Sequence, residues 1–154
     1  MSEDKAKLND STEGMAFKEQ VRQRVEIETM YEALDVRATG CTHWRWMMGM
    51  LGLSIQSSSR SIWIRVVDPP NDDTSECWPD LRDPATVGCL LSLVRETWNS
   101  KTVVTRYSEY QYGEQAVGEW DVLISVEHDR VGTFRQFVAS TEAEALVKAL
   151  EFAP

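Results

Sequence analysis

An α+β domain is the fold class this sequence predicts: a mainly antiparallel sheet of four to five strands packed against about three helices, sandwich-like in section. Three observations predict it. The 154 residues are 42% hydrophobic and 27% charged with six Trp, enough apolar material for one core and one ordinary domain. Trp120, Val122, Ile124 and Val126 alternate with a period of two between turn signals, the mark of a strand with one buried face. Two segments open with helix start signals, Asp83-Pro84 and Thr141 with Glu144 three residues on.

The elements follow in order. Residues 1–14 are polar without periodicity and read as a disordered tail ahead of a single domain over 15–154. From Met15 to Arg37 the spacing predicts a helix with Phe17, Val21, Val25, Tyr31 and Leu34 on one face, ended by Gly40 as a left-handed terminator. THWRWMMGMLGLSI, residues 42–55, alternates Trp44, Trp46 and Met48 with Arg45 and Met47 and reads as a strand. SIWIRVV after a turn at 57–60 is a second strand, paired with the first. Residues 68–83 carry three of the five prolines and six acidic residues against one Arg, and read as a loop. A helix follows, capped by Asp83, with Val87, Leu90, Leu91, Val94 and Trp98 as its buried stripe. Strands over 102–112, 119–127 and 132–138 form a meander with turns at 113–118 and 128–132. The last helix buries Ala145, Leu146, Ala149 and Leu150.

The balance of 16 Lys and Arg against 25 Asp and Glu gives a formal charge of −9. Such a field repels phosphate backbones and anionic membranes, so direct nucleic-acid binding and membrane binding are not expected, and a basic protein partner is. Cys41, Cys77 and Cys89 are odd in number and irregularly spaced, a poor disulfide framework that points to a reducing compartment. No apolar run approaches a membrane span, and Met1 leads into polar residues, so a cytoplasmic location is expected.

Chemistry-bearing groups are sparse. Cys41, His43, Cys77 and His128 supply soft ligands for one zinc ion, but paired ligand spacing is missing. Cys89 lies on the apolar side of its helix, and Cys77 sits among carboxylates that disfavour a thiolate. The acids of the loop lack the alternation, central Gly and terminal Glu of a calcium loop. No phosphate-binding, dinucleotide, nucleophile-elbow or zinc-protease motif occurs. The reading is therefore no catalytic residue, no metal and no cofactor. Asp68, Asp72, Asp73, Glu76, Trp78 and Asp80 are the candidate partner-binding residues, since carboxylates flanking an indole suit a basic surface. Trp78 is either an exposed anchor or a lid folded over the sheet. Most of the remaining tryptophans are expected to build the core.

WRWMMGML, WPDLRDPATVGCLLSLVRETW and STEAEALVKALEFA occur in the order aromatic strand, helix start, meander and final helix. In this order the chain resembles small, largely uncharacterised phage and prophage proteins of the phage ABA-sandwich group over residues 30–153. The longer N-terminal helix and the DPPNDD insertion depart from that pattern. The resemblance implies a phage genomic context and a sheet lying between helices, and with the missing motifs and the acidic charge the expectation is a phage-derived accessory protein acting by non-catalytic protein binding in the host cytoplasm. Inhibition of a host defence or nucleic-acid-handling protein, as an anti-CRISPR does, is a sub-case. The alternatives are a small metal-dependent hydrolase or nuclease using Asp and Glu, and a homo-oligomeric structural protein.

Overall fold

The structure, a computed structural model, describes residues 3–57, 60–67, 77–112, 115–126 and 133–154. The chain divides into two compact units, the first ending at Ala33 and the second running Leu34–Pro154.

The first unit belongs to helix α1, Glu3–Gly40, which begins well ahead of the expected Met15. Its polar residues support it locally through Arg22–Glu26 at 2.9 Å and Arg24–Glu28 at 3.1 Å, and Gln23 donates to Glu19 at 3.2 Å. Pairs of this i,i+4 kind contribute about 0.2–0.5 kcal/mol each. Val21 and Val25, expected on a buried face, are exposed. The apolar residues of α1 are spread around its axis, so they form no single stripe. Its end at Gly40 is as expected, but without the left-handed turn, because Gly49 is the one described glycine with positive φ.

In the second unit the last turns of α1 bury Leu34 and Ala38. Six strands follow among the described residues: β1 Leu51–Ser57, β2 Arg60–Arg65, β3 Cys77–Pro79, β4 Val103–Tyr112, β5 Gln115–Val126 and β6 Thr133–Ala139. Helix α2, Pro84–Thr97, lies between β3 and β4, and α3, Glu142–Glu151, follows β6. The α+β class with antiparallel pairing is as expected, but the strands form two three-stranded sheets, β2-β1-β3 and β4-β5-β6, rather than one of four to five. In the first sheet β1 is the central strand, paired with β2 on one side and β3 on the other. Asp80 N–H donates to Leu51 C=O at 2.8 Å, and Leu51 N–H donates to Thr86 Oγ1 of α2 at 2.8 Å. The first bond continues the β1–β3 ladder one residue past Gly52↔Pro79, and the second ties β1 to the first turn of α2.

Two boundaries differ from the sequence reading. Residues 42–50 make turns rather than a strand, because Gly49 adopts φ 96° and folds Met47 back on Met50 through a 3.1 Å backbone bond. Within the segment read as loop, Cys77–Pro79 is strand β3, in register with Ser54, Leu53 and Gly52.

Helices α2 and α3 pack on one face of the β4-β5-β6 sheet. That core is aliphatic, with Leu90, Leu93, Val94, Val122, Ile124, Leu146, Val147 and Leu150 all buried. Trp98 closes its end, donating Nε1–H to Ala149 C=O at 2.8 Å and packing on Phe137 with ring centroids 5.9 Å apart. Trp44, Trp46, Trp78, Trp98 and Trp120 are half-buried at its margins and Trp63 is exposed, so the fully buried centre is built without tryptophan.

Both predicted helix starts are capped as the sequence implies. Thr141 Oγ1 accepts from Glu144 N–H at 3.1 Å. Asp83 accepts from Thr86 N–H and Oγ1–H at 2.9 Å each, and its carboxylate also pairs with Arg65 at 3.1 Å. Asp83→Ala therefore removes a cap and the anchor that ties α2 to β2. The expected cost is about 1–2 kcal/mol, seen in thermal denaturation as a fall of roughly 3–6 °C in Tm.

Candidate functional site

The residues singled out by sequence do not converge within the described part of the structure. Asp68, Asp72, Asp73 and Glu76 lie outside the described residues. Trp78 is half-buried and lies on strand β3 rather than in a loop, directly across from Leu53 of β1. Asp80 turns back on its own segment: Oδ1 accepts from the N–H and Nε–H of Arg82, both at 3.0 Å.

Cys41 and His43 share the wall of a shallow cleft of about 300 Å³ with Arg37 and Glu151. Cys77 does not line it, and His128 lies outside the described residues. Arg37 grips Glu151 by two bonds, Nε to Oε1 at 3.0 Å and Nη2 to Oε2 at 2.8 Å. The Cys41 thiol donates to Arg37 C=O at 3.3 Å, and burial, with the Glu151 charge adding, pushes its pKa up. Such a thiol stays protonated and is a poor nucleophile. Cys89 is likewise pushed up, by burial first and then by Asp83. Among the described residues no three His, Cys, Asp or Glu side chains come together to hold a metal ion.

The group that stands out is one the sequence reading passed over. Asp121 lies in the middle of β5 on the face of the sheet turned away from α2 and α3, and its side chain is only 1% exposed. Gln136 of β6 donates to Oδ1 at 2.7 Å, while Arg106 Nε and Ser108 Oγ of β4 donate to Oδ2 at 3.0 and 3.1 Å. The Gln136 bond chiefly, with those of Arg106 and Ser108, holds the carboxyl below the ordinary carboxylate range against the opposing effect of burial. A carboxylate so saturated with donors is a fixed anion, not a base. Its effect is to pin Arg106, whose side chain remains 52% exposed. No hydrogen bond among the described residues uses the two terminal nitrogens of that guanidinium.

The same face carries apolar side chains as well, with the Ser108↔Glu119 pair between the network and Tyr110↔Val117. The register puts Val104, Arg106 and Tyr110 of β4 opposite Leu123, Asp121 and Val117 of β5, with Val138 and Phe134 of β6 beyond. Val104, Tyr110, Val117, Phe134 and Val138 are all exposed, Phe134 at 65%. An antiparallel sheet that faces water on one side ordinarily presents polar residues there. Contiguous exposed apolar side chains instead mark an interaction face. The signal was present in TVVTRYSEYQY and GTFRQFV, where the outward positions carry Val, Tyr and Phe. The turn predicted over 113–118 hid part of it, since β5 begins at Gln115 and Gly118 is a strand residue. The ring of Tyr107 lies over Gly118, where a Cβ would collide with it.

Comparison with known proteins returns no matching family model, no matching curated protein and no matching solved structure. No helix among the described residues is long and apolar enough to cross a membrane.

Proposed function

We propose that this protein acts by binding another protein, without catalysis, through the outer face of the β4-β5-β6 sheet. The observation that carries the reading is that Val104, Tyr110, Val117, Phe134 and Val138 are exposed on the same face as an arginine fixed by a buried carboxylate. Binding energy at protein interfaces concentrates in such aromatic and arginine anchors, held rigid before contact and surrounded by apolar neighbours that exclude water. A pinned Arg106 has already lost the side-chain freedom that association would otherwise remove.

The charge of −9 favours a partner with a basic surface, and Asp68, Asp72, Asp73 and Glu76 add to that attraction. With the resemblance to phage and prophage proteins, the reading becomes a phage-derived accessory protein in the host cytoplasm. Its target is a host defence or nucleic-acid-handling protein whose basic groove it occupies.

Capture from host lysate tests this with three chains: the parent, a Phe134→Asp and Arg106→Ala double variant, and a variant with Asp68, Asp72 and Asp73 changed to Asn and Glu76 to Gln. The double variant is expected to lose at least roughly 30-fold in affinity for the captured protein. The neutralised variant is expected to bind several-fold more weakly at low salt and to approach the parent at high salt. Equal capture of one protein by the parent and the double variant would remove the outer face from the account.

A further inference from the structure

We propose that strand β2 pairs with β2 of a second copy, joining two β2-β1-β3 sheets into one six-stranded antiparallel sheet across a two-fold axis at Trp63. This surface is separate from the outer face of the other sheet. Among the described residues strand β2 is an edge of its sheet, and three consecutive residues, Ile62, Trp63 and Ile64, are 45%, 49% and 42% exposed. Both faces of the strand are therefore open, which an edge that stays monomeric avoids with prolines, bulges or charges at its middle. The bulge in this hairpin falls between Ile55 and Ser57 of β1, not on the free side of β2. Arg65 points back into its own sheet, donating to Gly49 C=O at 2.7 Å and pairing with Asp83.

The phase of the ladder fixes the register in which a second copy can pair. Val66 N–H donates to Met50 C=O at 2.8 Å, and the register runs on unbroken from Leu51↔Arg65 to Ile55↔Ser61. Hydrogen-bonded and non-hydrogen-bonded pairs alternate along an antiparallel ladder. The N–H and C=O of Ser61, Trp63 and Arg65 therefore point away from β1, to the open side. Leu51 agrees: as the partner of Arg65 it spends both backbone groups on the far side, with Thr86 and Asp80. A second β2 meets this edge in phase when Trp63 opposes Trp63 and Ser61 opposes Arg65, so that every outward group is paired.

That register is self-complementary. Ile62 faces Ile64 of the other copy on one side of the sheet. On the other side Trp63 faces Trp63, extending the row that Trp63, Leu53 and Trp78 already form across the three strands. Aromatic and β-branched cross-strand pairs of this kind are stabilising. Arginine does not oppose arginine, since Arg65 faces Ser61 and is already compensated by Asp83. An isologous contact closes at two copies, and it must overcome the mutual repulsion of two chains each carrying −9. Salt therefore strengthens it.

Sedimentation of the full chain over a range of concentration and salt tests the pairing, together with Trp63→Lys, Trp63→Cys and Ile62→Cys. The parent is expected to be a dimer that dissociates on dilution and tightens with salt, and Trp63→Lys to be monomeric with unchanged circular dichroism. Directly opposed residues in a hydrogen-bonded pair lie about 5.5 Å apart at Cα, within disulfide reach. Mild oxidation should thus join Trp63→Cys chains into covalent dimers. Ile62→Cys, whose counterpart is displaced two residues along the strand, should cross-link no more than the parent with its Cys41, Cys77 and Cys89. A parent that is monomeric at every concentration overturns the proposal, as does a dimer that persists in a folded Trp63→Lys. Should Trp63→Lys fail to fold, the cysteine pair decides: equal cross-linking of the two variants rejects the register.

Discussion

Asp121→Ala is expected to lower the unfolding free energy by about 2–3 kcal/mol, the range for hydrogen bonds made to a charged group with partial compensation elsewhere. The loss stops short of that for a fully buried ion pair because Arg106, left behind, is half exposed and regains water. Gln136 is exposed and does the same, so the cost comes mainly from the vacated centre of the network. Chemical denaturation with an unchanged m-value measures it. The pH dependence has a definite sign. The folded carboxyl titrates below its unfolded value, so its contribution is present above the unfolded value of about 3.9 and is lost as pH falls through the lower folded value. The stability gap between parent and Asp121→Ala is therefore constant near neutrality and closes in acid. Since the same change frees Arg106, partner affinity should fall in parallel, whereas Asp83→Ala should lower stability and leave affinity alone.

Leu146→Ala is the other large effect, about 3 kcal/mol, or roughly 6–12 °C in Tm. Leu146 is completely buried at the centre of α3, between α2 and the inner face of β5, and the removed methyl groups leave a cavity that rigid neighbours cannot fill. Thermal denaturation by calorimetry checks the value. The contrast is Phe134→Ala on the outer face of the same sheet, which should change stability by less than about 0.5 kcal/mol while weakening partner capture. The two faces of one sheet thus separate into a stability face and a binding face.

How much of this was legible in the sequence depended on whether the signal was local. The caps at Asp83 and Thr141, the alternation along β5 and the stripe of α3 are decided within a few residues, and the structure has them. Non-local choices escaped. Nothing near Cys77 says that it pairs with Ser54, or that Thr86 of α2 takes the Leu51 N–H, so neither the third strand of the β2-β1-β3 sheet nor its tie to α2 could be read locally. The run of Trp44, Trp46 and Met48 alternates like a strand, but Gly49 turns the chain before pairing begins. The site was hidden for a related reason. Asp121 looks like an ordinary outward acid between Trp120 and Val122, and only the register with Arg106, Ser108 and Gln136 makes it a buried, saturated centre. The acidic run is a signal of composition alone, and four of its acids lie outside the described residues.

The most direct test of the binding face is site-specific photocrosslinking in host cells, with a benzophenone side chain placed at Phe134 or, separately, at Phe152. The two positions are matched in exposure, 65% and 70%, but Phe152 follows α3 and stacks on Phe137, on the opposite side of the sheet. The account predicts that the Phe134 probe joins the chain to one defined host protein, that the Phe152 probe does not, and that Arg106→Ala abolishes the adduct. The same adduct formed equally from both positions, or from Phe152 alone, would contradict it.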